Sequence, residues 1–133
     1  MRAKSAGDSD AVSLRVTMMP RDTNVHGTIF GGIILSYIDQ AGAVHVRRHR
    51  CHHVVTVAMD GVVFHEPVYV GDVVSFLTRT VSVGRTSVRV RVCVEALRYE
   101  DTTRVTVTEA EVVYVHVDAD RRPIPIPLPE PRA

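Results

Sequence analysis

Asp39 has the strongest claim to chemistry in this sequence. It is the one formally charged residue between Gly32 and Val46. The apolar residues around it, Ile33, Ile34, Tyr37, Ile38, Ala41 and Val44, recur at helical spacing. At about 100° per residue, Asp39 falls nearly opposite the Ile33–Tyr37–Ala41 stripe, beside Gly32, Leu35, Gly42 and Val46. One helix face is then expected to pack on the chain's own sheet, and the other to be small, apolar and interrupted by a single carboxylate. A carboxylate partly withdrawn from water can act as a base. The alternative is a surface or first-turn carboxylate favoured by the helix dipole.

The segment leading into that helix, DTNVHGTIFGG, ends in the pair Gly31–Gly32. Glycines at a helix start let a substrate approach backbone N–H groups that the helix leaves unpaired. Such groups, near the positive end of the dipole, can stabilise an oxyanion. In most proteins, glycine before a helix is simply a turn. Asn24 could hold a water or a carbonyl through its amide, or could close an Asx turn. Further on, GRTSVRVRV alternates with period two, placing Arg85, Ser87, Arg89 and Arg91 on one face and Val88, Val90, Val92 and Val94 on the other. Arginine grips phosphate bidentately, so this row could hold a nucleotide tail or could be an ordinary exposed strand face. The cluster His45, His49, Cys51, His52 and His53 contains an i, i+4 histidine pair, but no second set of ligands follows at metal-site spacing. No metal is expected.

The elements that must position these residues are mostly strands. Valine dominates, and β-branched residues favour a pleated surface. Strands are expected near Val12–Met18 and over Val54–Phe64, Val73–Val83, Arg85–Tyr99 and Thr103–Val117. The expected helix runs from about Gly32 to His49, with basic residues at its C-terminal end as the dipole prefers. One helix and several antiparallel strands make an α+β domain. The domain is expected over residues 11–119, between a disordered leader (1–10) and a proline-rich tail (120–133). The tail alternates proline with other residues and should be extended, either packed, frayed or available to a proline-reading module.

At 133 residues the chain fits one domain. A net charge of +1 argues against general nucleic-acid binding, which needs a basic excess. The leader lacks the apolar core of a signal peptide. The longest apolar stretch, GGIILSYI, falls short of the ~20 residues that span a bilayer. Cys51 and Cys93 read as reduced, inert thiols of a cytoplasmic protein.

Four ordered motifs, PRDTNVHGTIFGG (Pro20–Gly32), IDQAGAV (Ile38–Val44), VVTVAMDGVVFHEPVYVGDVV (Val54–Val74) and VGRTSVRVRV (Val83–Val92), together resemble the YciA-like and brain-type acyl-CoA hydrolases of the hotdog superfamily. The resemblance runs from about Met18 to Pro125. It implies an antiparallel sheet of five or six strands wrapped around one long helix, paired edge to edge in homodimers that assemble as a trimer of dimers. It also implies that Asp39 is the catalytic carboxylate, that Asn24 completes the site from the partner subunit, and that the amides at Gly31 and Gly32 receive the oxyanion. His26, Gly27 and Phe30, with Gly84, Arg85, Thr86 and Ser87, are implied to bind substrate. Coenzyme A enters as part of the substrate, and no cofactor is expected. His26, Thr28 and Tyr69 depart from many relatives, which bears on acyl-chain fit. Other readings are an acyl-CoA-binding sensor on the same fold, a dehydratase using His26, and a structural assembly protein. The sensor would have no need of Asp39 and Asn24 together.

Overall fold

The computed structural model describes residues 10–129. Five strands, β1 (Ala11–Thr17), β2 (Val54–Phe64), β3 (Val73–Val83), β4 (Ser87–Leu97) and β5 (Arg104–His116), form one antiparallel sheet in the order β1-β3-β4-β5-β2. A 16-residue helix, α1 (Gly31–Val46), packs on one face of it. This is the α+β arrangement of a hotdog fold. The strand bounds of β2 and β3 coincide with those expected from valine alternation. The helix is shorter than expected: its α-helical part ends at Val46, and Arg47–His49 continue as a tight 3-10 turn. Arg50, at φ 61°, closes it in the left-handed conformation.

Alternation explains how the sheet supplies the core. On β4, Val88, Val90, Val92, Val94 and Ala96 are buried against the helix, while the residues between them face outward. On β5, Thr108, Ala110, Val112, Tyr114 and His116 form the matching row. The helix answers with Ile34, Ile38, Ala41, Gly42, His45 and Val46.

That face corrects the expectation from the sequence. Ile33 and Tyr37 are only half-buried, and Gly42 and Val46, assigned to the outer face, lie in the core. The cause is a close approach. Tyr114 reaches past Gly42 so tightly that a Cβ there would stand 2.8 Å from its ring atoms. Its hydroxyl donates to the main-chain carbonyl of Asp39 at 2.7 Å. Burial, then the neighbouring Asp39 carboxylate, push the Tyr114 phenol well above its usual range, so it stays protonated and remains a donor. His45, also buried, is fixed by Thr78 and Thr80 of β3, each at 2.8 Å, and His49 shares Thr80. The histidine pair therefore pins the helix end to the sheet.

The tail is packed where it is described. Ile124 and Ile126 donate backbone N–H groups to the carbonyls of His116 and Arg85, and Arg50 donates to the carbonyl of Leu128. The expected leader, apart from Asp10, lies outside the described residues. No described helix is long and apolar enough to cross a membrane.

Gly42→Ala should overpack the contact with Tyr114 and lower unfolding stability by about 1–3 kcal/mol. Urea denaturation followed by circular dichroism measures this, and Tyr114→Phe in the same background should recover part of the loss.

Candidate active site on the helix flank

Asp39 is half-buried on the flank of α1 that faces the edge strand β2. Thr56 of β2 donates its hydroxyl to Asp39 Oδ1 at 2.6 Å. The carboxylate is thus held at both ends: its main chain by Tyr114 and its side chain by Thr56. The second oxygen is left to accept a proton or meet a reactant. Nothing in the sequence marked Thr56 as its partner, because the pairing depends on how far along β2 the helix sits.

Gly31 and Gly32 open α1 at its other end. The cap residue Phe30 supplies no side-chain hydrogen bond to the first turn. A Cβ at Gly32 would crowd the Phe30 ring at 2.9 Å, and one at Gly31 would touch Phe64 at 3.5 Å. Gly31 and Phe64 border a cavity of about 300 Å³, together with Ile29, Ile34, Val68 and Thr108. Thr108, on β5 opposite Phe64, is fully buried and its hydroxyl has no hydrogen-bond partner. Asp39 lies eight residues beyond Gly31, about 12 Å along the helix axis. One thioester cannot touch both groups of the same chain.

The loop before the helix is built around Asn24. Its Oδ1 accepts the N–H groups of His26 (2.8 Å) and Thr28 (3.2 Å), and its Nδ2 donates to Thr28 Oγ1 at 2.9 Å. The Asx-turn alternative is therefore what the loop displays, with one Nδ2 hydrogen left over from these bonds. Gly27, at φ 87°, takes a turn conformation suited to glycine. His26, Gly27 and Phe30 are exposed. The loop is anchored where Ile29 donates to the carbonyl of Val68 and Phe30 to that of Asp22, each at 2.8 Å. Val68 is itself placed by the turn at Gly71–Asp72. There buried Asp72 accepts Arg98 at 2.6 Å and the Tyr69 N–H at 3.0 Å.

Gly84, Arg85, Thr86 and Ser87 form the turn between β3 and β4. Two of its carbonyls hold other segments, Arg85 accepting from Ile126 and Thr86 from His116, and Ser87 accepts from Gly84 within the turn, each at 2.8 Å. The Arg85 side chain projects exposed from this braced turn. The arginines that follow are not available to grip phosphate. Arg89 bonds Asp60 (3.0 Å) and Glu111 (3.1 Å), and Arg91 pairs with Glu109, which also takes His65. Acids brought alongside by β2 and β5 neutralise the row, a pairing invisible from β4 alone. Among the described residues no three histidine, cysteine or acidic side chains come together to hold a metal ion.

The fold is that of a hotdog domain. Residues 26–103 match the model of the thioesterase superfamily, and the chain belongs to that family. Over 79 residues it is 44% identical to the acyl-CoA thioester hydrolase YciA of Escherichia coli K12, a stretch covering 59% of this chain and 60% of that protein. An uncharacterized acyl-CoA thioester hydrolase of Zymomonas mobilis is 46% identical over 80 residues, 60% of this chain and 54% of its own length. The chain thus spans little more than half the length of these relatives. A hexameric hotdog-fold thioesterase of Campylobacter jejuni superposes with a TM-score of 0.83 at 44% identity, covering 93% of each chain.

Asn24→Ala removes the acceptor for two backbone N–H groups. Hydrogen exchange at His26 and Thr28 should quicken by roughly 5- to 30-fold, the scale of one or two lost hydrogen bonds. Unchanged exchange would show that the loop does not depend on this side chain.

Proposed function

We propose that the chain hydrolyses acyl-CoA thioesters to free acid and coenzyme A, at composite sites shared between two copies. The observation that carries this reading is the placement of Asp39: one carboxylate on an otherwise uncharged helix flank, oriented by Thr56, and about 12 Å from the uncapped amides it would need as partners. Pairing of two chains supplies the missing half. Strand β2 is an open edge 11 residues long whose Val57, Val63 and Phe64 are exposed, and such an edge is a template for another strand. Antiparallel pairing there would bring the helix start of one chain toward Asp39 of the other. The family and the names of the relatives support the activity, and the hexameric relative supports a trimer of such dimers.

In this mechanism the thioester carbonyl docks on the Gly31–Gly32 amides of one copy, which stabilise the oxyanion as it forms. Asp39 of the other copy removes a proton from an attacking water, or attacks the carbonyl to give a mixed anhydride that water then opens. The free Nδ2 hydrogen of Asn24 orients the water or the carbonyl. The leaving group departs as a thiolate with little help, since thiols have a pKa near ~8.5. No second acid is needed.

Asp39→Asn should lower turnover by roughly 10²- to 10⁴-fold with the fold intact. Thiol release from short, medium and long acyl-CoAs, read with a chromogenic disulfide, measures it. No turnover with any chain length, alongside tight coenzyme A binding, would instead identify a sensor. Thr56→Val, which frees the carboxylate to swing, should cost roughly 10- to 100-fold, the scale of one hydrogen bond to a charged group. A single turnover in heavy-oxygen water decides between the two routes: label recovered in Asp39 itself would exclude the pure general-base path.

A further inference from the structure

A groove of about 630 Å³ lies between the C-terminal end of the helix and the start of β2, and Ala43, one turn beyond Asp39, borders it. Ala43 follows Asp39 at i+4 on the same side of α1, and Arg47 opens the 3-10 turn that continues it. Ala43 and Arg47 border the groove with Val54 and Val55, and its far wall is formed by His52, His53, Asp118 and Arg121. Arg47 lies about 12 Å beyond Asp39 along the helix axis. The path between them passes the small side chain of Ala43.

The cations at the far end of this groove differ from the arginines that are held in ion pairs. On the sheet, Arg79, Arg89, Arg91 and Arg98 each pair with a carboxylate. Arg47 and Arg121 are exposed and make no ion pair among the described residues. The one acid in the lining, Asp118, has an oxygen already taken by the backbone N–H groups of Asp120 and Arg122. The turn it organises holds Arg121 at φ 65°, with the Arg121 N–H on the Asp118 carbonyl at 2.9 Å. His52 and His53 add ring nitrogens to the lining. The C-terminal end of a helix repels anions, so any anion bound here must be held by the two guanidinium groups.

We propose that this groove seats the diphosphate of coenzyme A, with Arg47 and Arg121 as its ligands and the pantetheine arm lying over Ala43 toward Asp39. The inference rests on the hydrolase reading for the identity of the carrier. Two guanidinium forks can meet a diphosphate through several charge-assisted hydrogen bonds. This assigns the phosphates to the helix end, in place of the arginine row of β4.

The test is calorimetric titration of the full chain with coenzyme A and, in parallel, with pantetheine, which lacks the diphosphate. Arg47→Gln and Arg121→Gln should each weaken coenzyme A binding by about tenfold or more and leave pantetheine binding unchanged. The KM for acyl-CoA should rise with little change in kcat. Unaltered coenzyme A affinity in both variants would overturn the assignment, as would equal weakening for pantetheine, a loss confined to Arg85→Ala, or no binding of coenzyme A by the wild type. If the wild type turns over acyl-CoA while both variants bind as it does, the groove assignment alone fails. If the wild type hydrolyses nothing but its coenzyme A binding needs Arg47 and Arg121, the groove stands and the hydrolase reading fails.

Discussion

The hydrogen bond from the Tyr114 hydroxyl to the main chain of Asp39 sets the register of the helix on the sheet. It forms because Gly42 leaves no side chain between them. A helix free to slide by one residue would move about 1.5 Å and turn about 100°, carrying the carboxylate away from Thr56. The contact joins the centre of the helix to β5, and β5 in turn carries β2, whose Thr56 meets Asp39. Core and candidate site are therefore fixed by one arrangement, with an aromatic side chain acting as a ruler between strand and helix.

A second constraint fixes the other end of the helix. Buried Asp72 ties the turn before β3 to Arg98, and Arg98 also stacks over Tyr69 at 5.0 Å. That turn places Val68, Val68 receives Ile29, and Ile29 leads into Phe30 and Gly31. A short relay of main chain and one hydrogen bond thus transmits the position of an internal ion pair to the amides at the helix start. The hydroxyl of Thr108, unpaired under the same helix end, is the one polar side-chain atom among the described residues left wholly buried without a partner.

Much of this was legible in the sequence, for physical reasons that differ by element. Runs rich in valine and bounded by turn residues announce themselves as strands, and β2 and β3 fall where the pattern puts them. Asp39 stood out because a lone charge on an apolar helix is costly unless something uses it. The helix face was misjudged because period alone treats Gly42 as small and neutral, whereas Tyr114, 72 positions later in the chain, makes it a contact. The arginines of β4 looked free for a similar reason: their partners Asp60, Glu109 and Glu111 come from strands that pattern reading places but does not register. Likewise Arg47 and Arg121 share a groove only once the chain has folded back on itself.

The proline-alternating tail has a consequence for how the molecule meets others of its kind. In an extended segment, successive N–H groups point to opposite sides. Here Ile124 and Ile126 direct theirs inward, to His116 and Arg85. The outward positions fall to Pro123, Pro125 and Pro127, which have no N–H to offer. The segment can receive the sheet on one side and cannot pass it on from the other. It works as a selvedge, a woven border that keeps the fabric from being continued by a stray strand, and it leaves pairing with a matching copy to the sheet's own edges, β2 among them.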